Sequence, residues 1–413
     1  MIGLEGKRIV LGITGSIAAY KGADLASKLA QAGAEVYTAM TQEAQEFITP
    51  LTFSSLTAQP VITEMFDPSS EFNVQHVTLG RLVDVIVVAP ATAHIIAKIA
   101  GGLADDMLSL TVLASRAPLI IAPAMDAVIY ENVATQENLA KLRARGTTIV
   151  GPGYGHLASG EMGWGRLEEI STIIDTVRWV LGKNGDMKGK KVVVTAGPTQ
   201  EAIDPVRLLT NTSSGKMGYA LAEAARDRGA QVVLVTGPTN LPDPVGVEIR
   251  KIKTAIQMKA AVSDAVQGAD LLVAAAAVSD YRPRHEEAKK IKKAGRESLT
   301  VELERNPDIL AEVNGSFLKV GFAAETEDLI KNATKKLKEK NLVLVAANDV
   351  TQPKSGFAVD TNRVTLINAS GKIEELPLMT KLEVAHIIYD RIVPLLKAGT
   401  EVAHRPQSGT PSV

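Results

Sequence analysis

Short apolar runs alternate with helical stretches in both halves of the chain. In the first half, residues 7–14 are predicted to form a strand, followed by a helix and a second strand at 33–40. The second half repeats this plan, with predicted strands at 191–197 and 229–235 on either side of a helix. The order strand, helix, strand is typical of a parallel sheet covered by helices. The pattern therefore predicts an α/β fold with two doubly wound, Rossmann-like domains, the second with a mostly parallel sheet.

Further apolar runs have the length of buried strands, and small or polar residues follow each of them. Because ligands of doubly wound folds bind beyond the carboxyl ends of the strands, we expect the sites there. Residues 182–186 have the composition of a linker, which puts the boundary near Met187. We predict one domain at 1–187, a second at 188–400 and a disordered tail at 401–413. The additional predicted strands are 83–89, 119–122, 271–277 and 342–346.

The composition is that of a globular protein without a chain-wide charge. Of the 413 residues, 46% are hydrophobic and 22% are charged, which is enough for two hydrophobic cores. Lysine and arginine number 45 against 46 acidic residues, so we expect neither nucleic acid nor a membrane surface as a partner. The absence of cysteine excludes disulfides, thiolate metal ligands and a cysteine nucleophile. No apolar stretch reaches the roughly 20 residues of a membrane helix and no signal peptide is evident, so we expect a cytoplasmic location.

A glycine-containing loop joins the first predicted strand to the first helix. Residues 12–21, GITGSIAAYK, place free backbone amides at a helix N-terminus, where phosphate binds favourably. Such a loop on its own is equally consistent with a bare turn. The second strand ends at Met40 and Thr41, without the acidic side chain that would bind a dinucleotide ribose. A mononucleotide therefore fits this half better than NAD.

The glycine loop and four further motifs resemble the flavin-dependent cysteine decarboxylases. The four are QHVTLG with His76, PATA at 90–93, ADDMLS at 104–109 and PAM at 123–125, within a similarity that spans roughly residues 6–175. The resemblance implies a flavodoxin-like domain in which FMN oxidises the thiol of phosphopantothenoylcysteine, CO2 leaves and the enethiol is reduced. It also implies that His76 is the active-site base. The residues implied to lie along the FMN are Gly15, Ser16, Ile17, Thr41, Ala91, Thr92 and Ser109.

Two residues of the first half depart from this family pattern. Asp126 stands where the family has an asparagine that contacts the substrate carboxylate, and its charge would repel that group unless it is protonated or paired. Ser159 stands where the family has a proton-donating cysteine, and a serine hydroxyl is a much weaker acid than a thiol. Both remain catalytic candidates. Alternative proton donors in the same segment are Tyr154, His156 and Glu161.

The second half contains a cluster of small donors at a predicted helix start. The segment 210–218, TNTSSGKMG, offers hydroxyls, glycine amides and Lys216 to an anion. Its two glycines are too close together for a P-loop. A lysine run at 289–293 follows later, and its composition alone would indicate a solvated surface.

Taken together, the motifs of the second half resemble phosphopantothenate-cysteine ligase over most of residues 190–395. With the flavin half ahead of it, the chain resembles the bifunctional decarboxylase/ligase family of coenzyme A synthesis. The implied ligation proceeds through an acyl-cytidylate as CTP becomes CMP and pyrophosphate, with ATP as an alternative nucleotide. Mg2+ is expected to bind together with the nucleotide. The sequence does not identify side chains that would be its ligands. Besides 210–218, the motifs are AVSDY at 277–281, KKIKK at 289–293, NPDI at 306–309 and GFAAET at 321–326.

The resemblance also implies roles for individual residues of the second half. Lys290 would stabilise the triphosphate and the cytidylylation transition state, while Asn211 and Arg207 would hold phosphopantothenate and its acyl intermediate. The implied nucleotide-binding residues are Ala275, Asp280, Lys290, Asn306, Pro307, Asp308, Ile309, Phe322, Lys336 and Lys340. The implied substrate-binding residues are Arg207, Asn211, Ser213, Ser214, Gly215 and Lys216.

The family resemblance further implies the partners of the chain. The expected small-molecule partners are phosphopantothenate, cysteine, CTP and phosphopantothenoylcysteine. The expected assembly is a homo-oligomer with trimeric decarboxylase domains and dimeric ligase domains, together a dodecamer. Two other hypotheses stay open. One is a flavin or NADP oxidoreductase, for which the glycine fingerprint is missing. The other is an active ligase whose flavin domain is structural, or decarboxylates without efficient enethiol reduction.

Overall fold

A computed structural model describes residues 4–65, 80–292, 298–325, 327–349 and 359–403 of the protein. The chain divides into two units, Met1–Leu181 and Gly182–Val413. Among the described helices, none combines the length and the apolar composition that crossing a membrane requires.

The first unit is built around a parallel sheet of five strands. These are β1 (Arg8–Ile13), β2 (Glu35–Met40), β3 (Val85–Ala91), β4 (Leu119–Pro123) and β5 (Thr148–Ile149). Their order is β2-β1-β3-β4-β5, and every neighbouring pair is parallel. All seven residues of β3 are buried, as expected for a central strand covered on both faces. This is the flavodoxin-like order, in which the ligand site lies between β1 and β3.

Helices cover both faces of this sheet. Leu25 and Ile173 pack on one face, and Ile95 and Leu139 pack on the other. A 3-10 helix at Gln42–Glu46 follows β2. The α-helices are α1 (Ala19–Gln31), α2 (Pro50–Thr57), α3 (Ala93–Gly101), α4 (Met107–Ala114), α5 (Ala127–Glu131), α6 (Val133–Ala144) and α7 (Ile170–Gly182). An antiparallel hairpin is formed by β6 (Gly153–His156) and β7 (Met162–Arg166).

The second unit contains an eight-stranded sheet whose first six strands are parallel. Along the sheet, its strands are Glu248–Lys251, Gln231–Thr236, Lys191–Ala196, Leu271–Ala274, Leu318–Glu325, Leu344–Asp349, Thr365–Asn368 and Ile373–Glu375. The last two strands pair antiparallel. Numbered by their position in the chain, these strands are β12, β11, β8, β13, β16, β17, β19 and β20 in the order of the sheet. The remaining strands are β9 (Gln200–Ala202), β10 (Leu208–Thr210), β14 (Tyr281–Pro283), β15 (Leu303–Arg305), β18 (Thr361–Asn362) and β21 (Met379–Thr380).

The helices of the second unit begin at positions that shape the sites. They are α8 (Lys216–Arg226), α9 (Ala255–Ala265), α10 (Ile309–Glu312), α11 (Leu329–Glu339) and α12 (Lys381–Ala403). Gly215 precedes α8 with φ of +77°, and a Cβ there would lie 2.7 Å from Thr239 Cγ2. Glycine is therefore required at this helix start. Helix α12 packs against α8, where the buried Tyr389 hydroxyl donates a hydrogen bond to the Leu221 carbonyl at 2.9 Å.

The predicted fold class, two doubly wound α/β domains, is confirmed. The hairpins β9–β10 and β14–β15 were not predicted, because strands of three residues are too short to show an alternating pattern. Helix α12 continues to Ala403, three residues into the segment predicted as a disordered tail. Gly399 costs a helix only about 1 kcal/mol and does not end this one. The rest of the predicted tail lies outside the described residues.

Candidate active sites

A first cavity of about 790 Å3 lies in the first unit, where the chain leaves β1, β3 and β4. The hairpin β6–β7 forms part of its wall. The cavity brings together six of the residues predicted from the sequence: Gly15, Ser16, Ile17, Thr92, Asp126 and Ser159. Residues that sequence reasoning missed also line it, among them Lys21, His94 and Arg166. The position of the cavity is that of the ligand site in flavodoxin-like folds.

Short polar contacts fix the loops after β1 and β3. The Thr14 hydroxyl donates to the Pro90 carbonyl at 2.8 Å and accepts from the Thr92 amide at 3.1 Å. Ser16 Oγ accepts a hydrogen bond from the Ala18 amide at 3.3 Å, at the start of α1. Gly15 passes so close to Glu43 that a Cβ would lie 2.5 Å from the Glu43 Cβ. These contacts fix the main chain of the two loops where it lines the cavity.

Three predicted flavin contacts, Thr41, Ala91 and Ser109, do not line the first cavity. Ser109 forms a capping box with Asp106 at the start of α4, where its amide donates to Asp106 Oδ1 at 2.8 Å. Ala91 is fully buried at the end of β3. The buried Thr41 hydroxyl has no hydrogen-bond partner within the described part of the chain.

The hairpin β6–β7 carries the candidate proton donors. Ser159 is exposed at its tip and lines the first cavity together with His156. Tyr154 packs edge-to-face against Trp164 with ring centroids 5.4 Å apart, and neither Tyr154 nor Glu161 lines the cavity. The predicted base His76 lies outside the described residues.

The hairpin is fastened to the segment that carries Asp126. The Met125 amide donates to the Gly165 carbonyl at 2.9 Å. A Cβ on Gly165 would lie only 2.1 Å from the Met125 carbonyl oxygen, so this approach requires glycine. The half-buried Asp126 caps α5 by accepting a hydrogen bond from the Val128 amide at 2.9 Å. The carboxylate thus has a backbone donor, and Lys21 and Arg166 contribute positive charge to the same cavity.

A second cavity, of about 400 Å3, lies in the second unit and collects most of the predicted nucleotide-binding residues. Two hydrogen bonds fix Asn306. Its side-chain amide donates to the Ser279 carbonyl at 2.8 Å, and its backbone amide donates to the backbone carbonyl of Asp280 at 2.8 Å. The Lys336 ammonium donates to the Phe322 carbonyl at 2.7 Å. The predicted residues that line this cavity are Asp280, Asn306, Pro307, Asp308, Ile309, Phe322, Lys336 and Lys340.

Asp308 and Lys340 form an ion pair in this second cavity. Burial alone would raise the pKa of Asp308, but hydrogen bonds from the Lys340 ammonium and the Ala311 amide hold it below its ordinary value. Asp308 is therefore ionised at neutral pH, and Lys340 is positioned by it.

A third cavity, of about 480 Å3, adjoins the second. Phe322 and Lys336 line both cavities, so the two have a common wall. The Asn211 side-chain amide donates to the carbonyls of Ala277 and Val278 at 3.3 and 3.1 Å. The predicted residues that line the third cavity are Asn211, Ser213, Ser214, Gly215, Lys216 and Ala275. Sequence reasoning missed Asn348, Asn362 and Lys381, which line it too and are buried.

Arg207 and Lys290 line neither the second nor the third cavity. Arg207 pairs with the fully buried Asp204 and donates to the Ile291 carbonyl at 3.2 and 3.3 Å. Burial alone would raise the pKa of Asp204, but amides of Val206, Ile291 and Arg207 and the Arg207 guanidinium lower it to about 2. Lys290 is exposed beside Ile291. Within the described ranges, no group of three histidine or carboxylate side chains is placed to hold a metal.

Two family models match consecutive parts of the chain. The Flavoprotein family matches residues 3–182, and the DNA/pantothenate metabolism flavoprotein C-terminal domain matches residues 187–395. The chain therefore belongs to the class of proteins in which a flavoprotein domain is followed by a pantothenate-metabolism domain.

Relatives with the same two parts extend over almost the whole chain. The coenzyme A biosynthesis bifunctional protein CoaBC of Vibrio cholerae is 44% identical over 95% of this chain and 100% of its own length. The protein of the same name from Bacillus subtilis is 43% identical over 95% of this chain and 98% of its own length. That from Escherichia coli is 43% identical over 94% of this chain and 97% of its own length. The chain belongs to this CoaBC family, which confirms the resemblance predicted from the motifs.

Solved structures are similar to each half. The C-terminal domain of coenzyme A biosynthesis bifunctional protein CoaBC covers 52% of this chain and 99% of that chain, with 42% identity and a TM-score of 0.45. A PPC decarboxylase variant solved with pantothenoylaminoethenethiol covers 42% of this chain and 97% of that chain, with 33% identity and a TM-score of 0.38.

Proposed function

We propose that the chain catalyses two consecutive steps of coenzyme A biosynthesis. The first joins phosphopantothenate to cysteine with CTP, and the second decarboxylates phosphopantothenoylcysteine to phosphopantetheine. The observation that carries the ligation is the common wall of the second and third cavities at Phe322 and Lys336. A nucleotide in one cavity and an acid in the other would meet there. Decarboxylation belongs to the domain at 1–187 and ligation to the domain at 188–400.

The ligation requires the substrate carboxylate to be activated. A carboxylate oxygen attacks the α-phosphorus of CTP, the bond to pyrophosphate breaks, and an acyl-cytidylate forms. The cysteine amine then attacks the acyl carbon and CMP leaves. Lys336 and Lys340 supply positive charge at the nucleotide, and Lys290 is proposed to add a third cation on the triphosphate. Asn211 holds the acyl part at the rim of the third cavity.

Mg2+ is proposed to enter with the triphosphate. This ion keeps several waters and typically takes one or two carboxylates besides phosphate oxygens. The carboxylates that line the second cavity are Asp280, Asp308 and Glu339, of which Asp308 is paired with Lys340 and Glu339 with Lys335. Asp280 is therefore the carboxylate that fits the metal-nucleotide complex.

The residues around the first cavity fit FMN. The flavodoxin-like strand order supports a mononucleotide site between β1 and β3. The loop at Gly15 admits no side chain, and the start of α1 offers amides to a phosphate. Bound FMN supplies a two-electron acceptor for the substrate thiol and donor for the product.

Residues of the first cavity are proposed to bind the substrate and move its protons. Lys21 and Arg166 attract the anionic substrate into the cavity. His76, which lies outside the described residues, is proposed as the base from the family resemblance. Ser159 or His156 is proposed as the proton donor, because these two residues line the cavity. Asp126 is held by the Val128 amide, which lowers the cost of its charge near the substrate carboxylate.

A second candidate function is an active ligase whose flavin domain decarboxylates without efficient enethiol reduction. The observation that favours it is that Ser159 and Asp126 both line the first cavity, in place of a more acidic donor and a neutral amide. In this case the enethiol would be released without being reduced, the two electrons would stay on the flavin, and each flavin would give one CO2.

The chain is proposed to be a homo-oligomer on the family resemblance, and exposed apolar side chains in both units are compatible with self-association. In the first unit, Val128 and Val133 are about 70% exposed. In the second unit, Val206, Leu208 and Tyr281 are at least half exposed, on and beside the hairpins β9–β10 and β14–β15. Surfaces of this kind favour self-association. The family resemblance implies trimers of the first domain and dimers of the second, combined in a dodecamer. The use of CTP and free cysteine favours a cytoplasmic location.

One reaction mixture tests the proposal. Purified protein with FMN is incubated with phosphopantothenate, cysteine, CTP and Mg2+. The expected products are CMP, pyrophosphate, CO2 and phosphopantetheine. CO2 without phosphopantetheine would support the second candidate, and phosphopantothenoylcysteine without CO2 would show that the flavin domain is structural.

A further inference from the structure

The hairpin β14–β15 adjoins the second cavity at one end. Strand β14 follows Ser279 and Asp280, and strand β15 leads into Asn306. These three flanking residues line the second cavity, whereas Arg282 in the middle of β14 does not. The strands pair antiparallel, with Arg282 directly opposite Glu304. The hairpin therefore places two segments of the cavity wall side by side, and Arg282 lies behind them.

The Arg282 guanidinium binds the end of β15 at three points. Its Nη1 donates to the side-chain oxygen Oδ1 of Asn306 at 3.0 Å and to the Arg305 carbonyl at 3.1 Å. Its Nη2 forms an ion pair with Glu304 Oε1 at 2.7 Å. A guanidinium carries five N–H donors in one rigid plane, so it can bind all three acceptors in a single geometry. Within the described part of the chain, Arg282 is the one donor to Asn306 Oδ1.

Asn306 connects Arg282 to the opposite segment of the wall. Its side-chain nitrogen donates to the Ser279 carbonyl at 2.8 Å, and its backbone amide donates to the Asp280 carbonyl at 2.8 Å. A guanidinium only donates and a carbonyl only accepts, so these partners determine which way round the Asn306 amide stands. Asn306 is 8% exposed, and without Arg282 its Oδ1 would be a buried acceptor that lacks a donor. The side chain would then shift and release the backbone at Ser279.

We propose that Arg282 is a positioning residue of the ligase. It fixes the orientation of Asn306, which in turn fixes the wall segment of Ser279 and Asp280, and so it sets the affinity for the nucleotide. The inference rests on the proposed function, in which the second cavity binds the nucleotide. The effect of Arg282 is confined to one substrate, because neither Asp280 nor Asn306 lines the third cavity, which is proposed for the acid.

The first test compares the two substrates in Arg282→Gln of the full chain. Pyrophosphate release is measured against CTP at saturating phosphopantothenate, cysteine and Mg2+, and then against phosphopantothenate at saturating CTP. The KM for CTP should rise about tenfold, and the KM for phosphopantothenate should change less than about twofold. A purely structural role of Arg282 would raise both constants alike. That result, or an unchanged KM for CTP, would overturn the proposal.

The matched control is Arg284→Gln, directly after the same strand. Arg284 forms an ion pair with Glu302 at 2.6 Å, and both side chains are more than half exposed. Arg284→Gln removes one charge from the same hairpin without touching Asn306. Both KM values should stay at the wild-type level. An increase in the KM for CTP equal to that of Arg282→Gln would assign the effect to the charge of the hairpin, against the proposal.

A double-mutant cycle tests whether Arg282 acts through Asn306. Asn306→Ala alone should raise the KM for CTP, and adding Arg282→Gln to it should raise that constant by less than about a further twofold. If the two increases multiply instead, Arg282 acts independently of Asn306 and the proposal fails. Arg282→Lys repeats the cycle in a chain that keeps a cation opposite Glu304, and the same lack of additivity is expected.

The KM for phosphopantothenate shows in each variant that the ligase domain is folded. A wild-type chain that releases no pyrophosphate with CTP and phosphopantothenate would instead overturn the proposed function itself.

Discussion

The carboxylate of Asp204 accepts a hydrogen bond from the backbone amide of Ile291 at 3.1 Å, across 87 residues of sequence. Arg207 strengthens the link, because it pairs with Asp204 and donates to the Ile291 carbonyl. The exposed Lys290 precedes Ile291 directly. Asp204 and Arg207 therefore position the basic segment that carries Lys290.

Asp204→Asn should lower the rate of acyl-cytidylate formation about tenfold, because it removes the charge that holds Arg207 and Ile291. The effect should appear in kcat more than in the KM for CTP. Since the pKa of Asp204 is about 2, the carboxylate is ionised across the assay range. The ratio of variant to wild-type rates should thus be the same at about pH 6 and about pH 8. Asp264→Asn, which breaks an exposed pair with Arg250, is the control and should be silent. A wild-type rate for Asp204→Asn would refute the positioning role.

Lys290→Gln should abolish pyrophosphate release while the protein stays folded and yellow, because the lost charge acts on the phosphates in one domain only. Stopped ligation with intact decarboxylation of added phosphopantothenoylcysteine is the expected combination. Lys372→Gln serves as the control for removing an exposed lysine of the same unit. Normal pyrophosphate release by Lys290→Gln would remove Lys290 from the mechanism.

Asn211→Asp should let the acyl-cytidylate form but slow its conversion by cysteine. The new carboxylate would face the carbonyl oxygens of Ala277 and Val278, which accept hydrogen bonds from the Asn211 amide at 3.3 and 3.1 Å. Repulsion there would displace the side chain that holds the intermediate. Rapid quenching of a single turnover measures both steps, with the exposed Asn314→Asp as the matched change. Unchanged turnover at saturating cysteine would count against this role.

Ser159→Cys should accelerate reduction of the enethiol without changing CO2 release. A thiol is more acidic than a hydroxyl by several pKa units, and each unit corresponds to about 1.4 kcal/mol. Stopped-flow absorbance of the flavin measures the reoxidation rate in the wild type and in the Cys and Ala variants. If both variants reoxidise at the wild-type rate, Ser159 has no chemical role, and His156, which lines the same cavity, becomes the donor to test with His156→Gln.

Much of the fold follows from local sequence patterns. The apolar run at 83–89 predicts the buried strand β3, observed at Val85–Ala91. Small and polar residues after such strands predict where cavities form, because parallel strands end at one edge of the sheet. The strand ends and the family motifs together predict many of the residues that line the three cavities.

Other features depend on contacts that a linear pattern does not contain. The hydrogen bond between Asp204 and Ile291 joins segments that are far apart in the sequence, and the residues near Asp204 do not predict it. Lys381 reads as an ordinary lysine at a helix start, since its burial results from packing around α12. Arg207 pairs with the buried Asp204, and the sequence does not show this partner. Its role in holding the substrate stays a prediction.

If an acid and a nucleotide meet at the common wall of Phe322 and Lys336, cytidylyl transfer should proceed without the amine. The most direct measurement omits cysteine: purified protein is mixed with phosphopantothenate, Mg2+ and CTP, quenched, and its products are separated. We expect one pyrophosphate and one acyl-cytidylate for each active site. Formation of CDP and inorganic phosphate, or no pyrophosphate until cysteine is added, would contradict it.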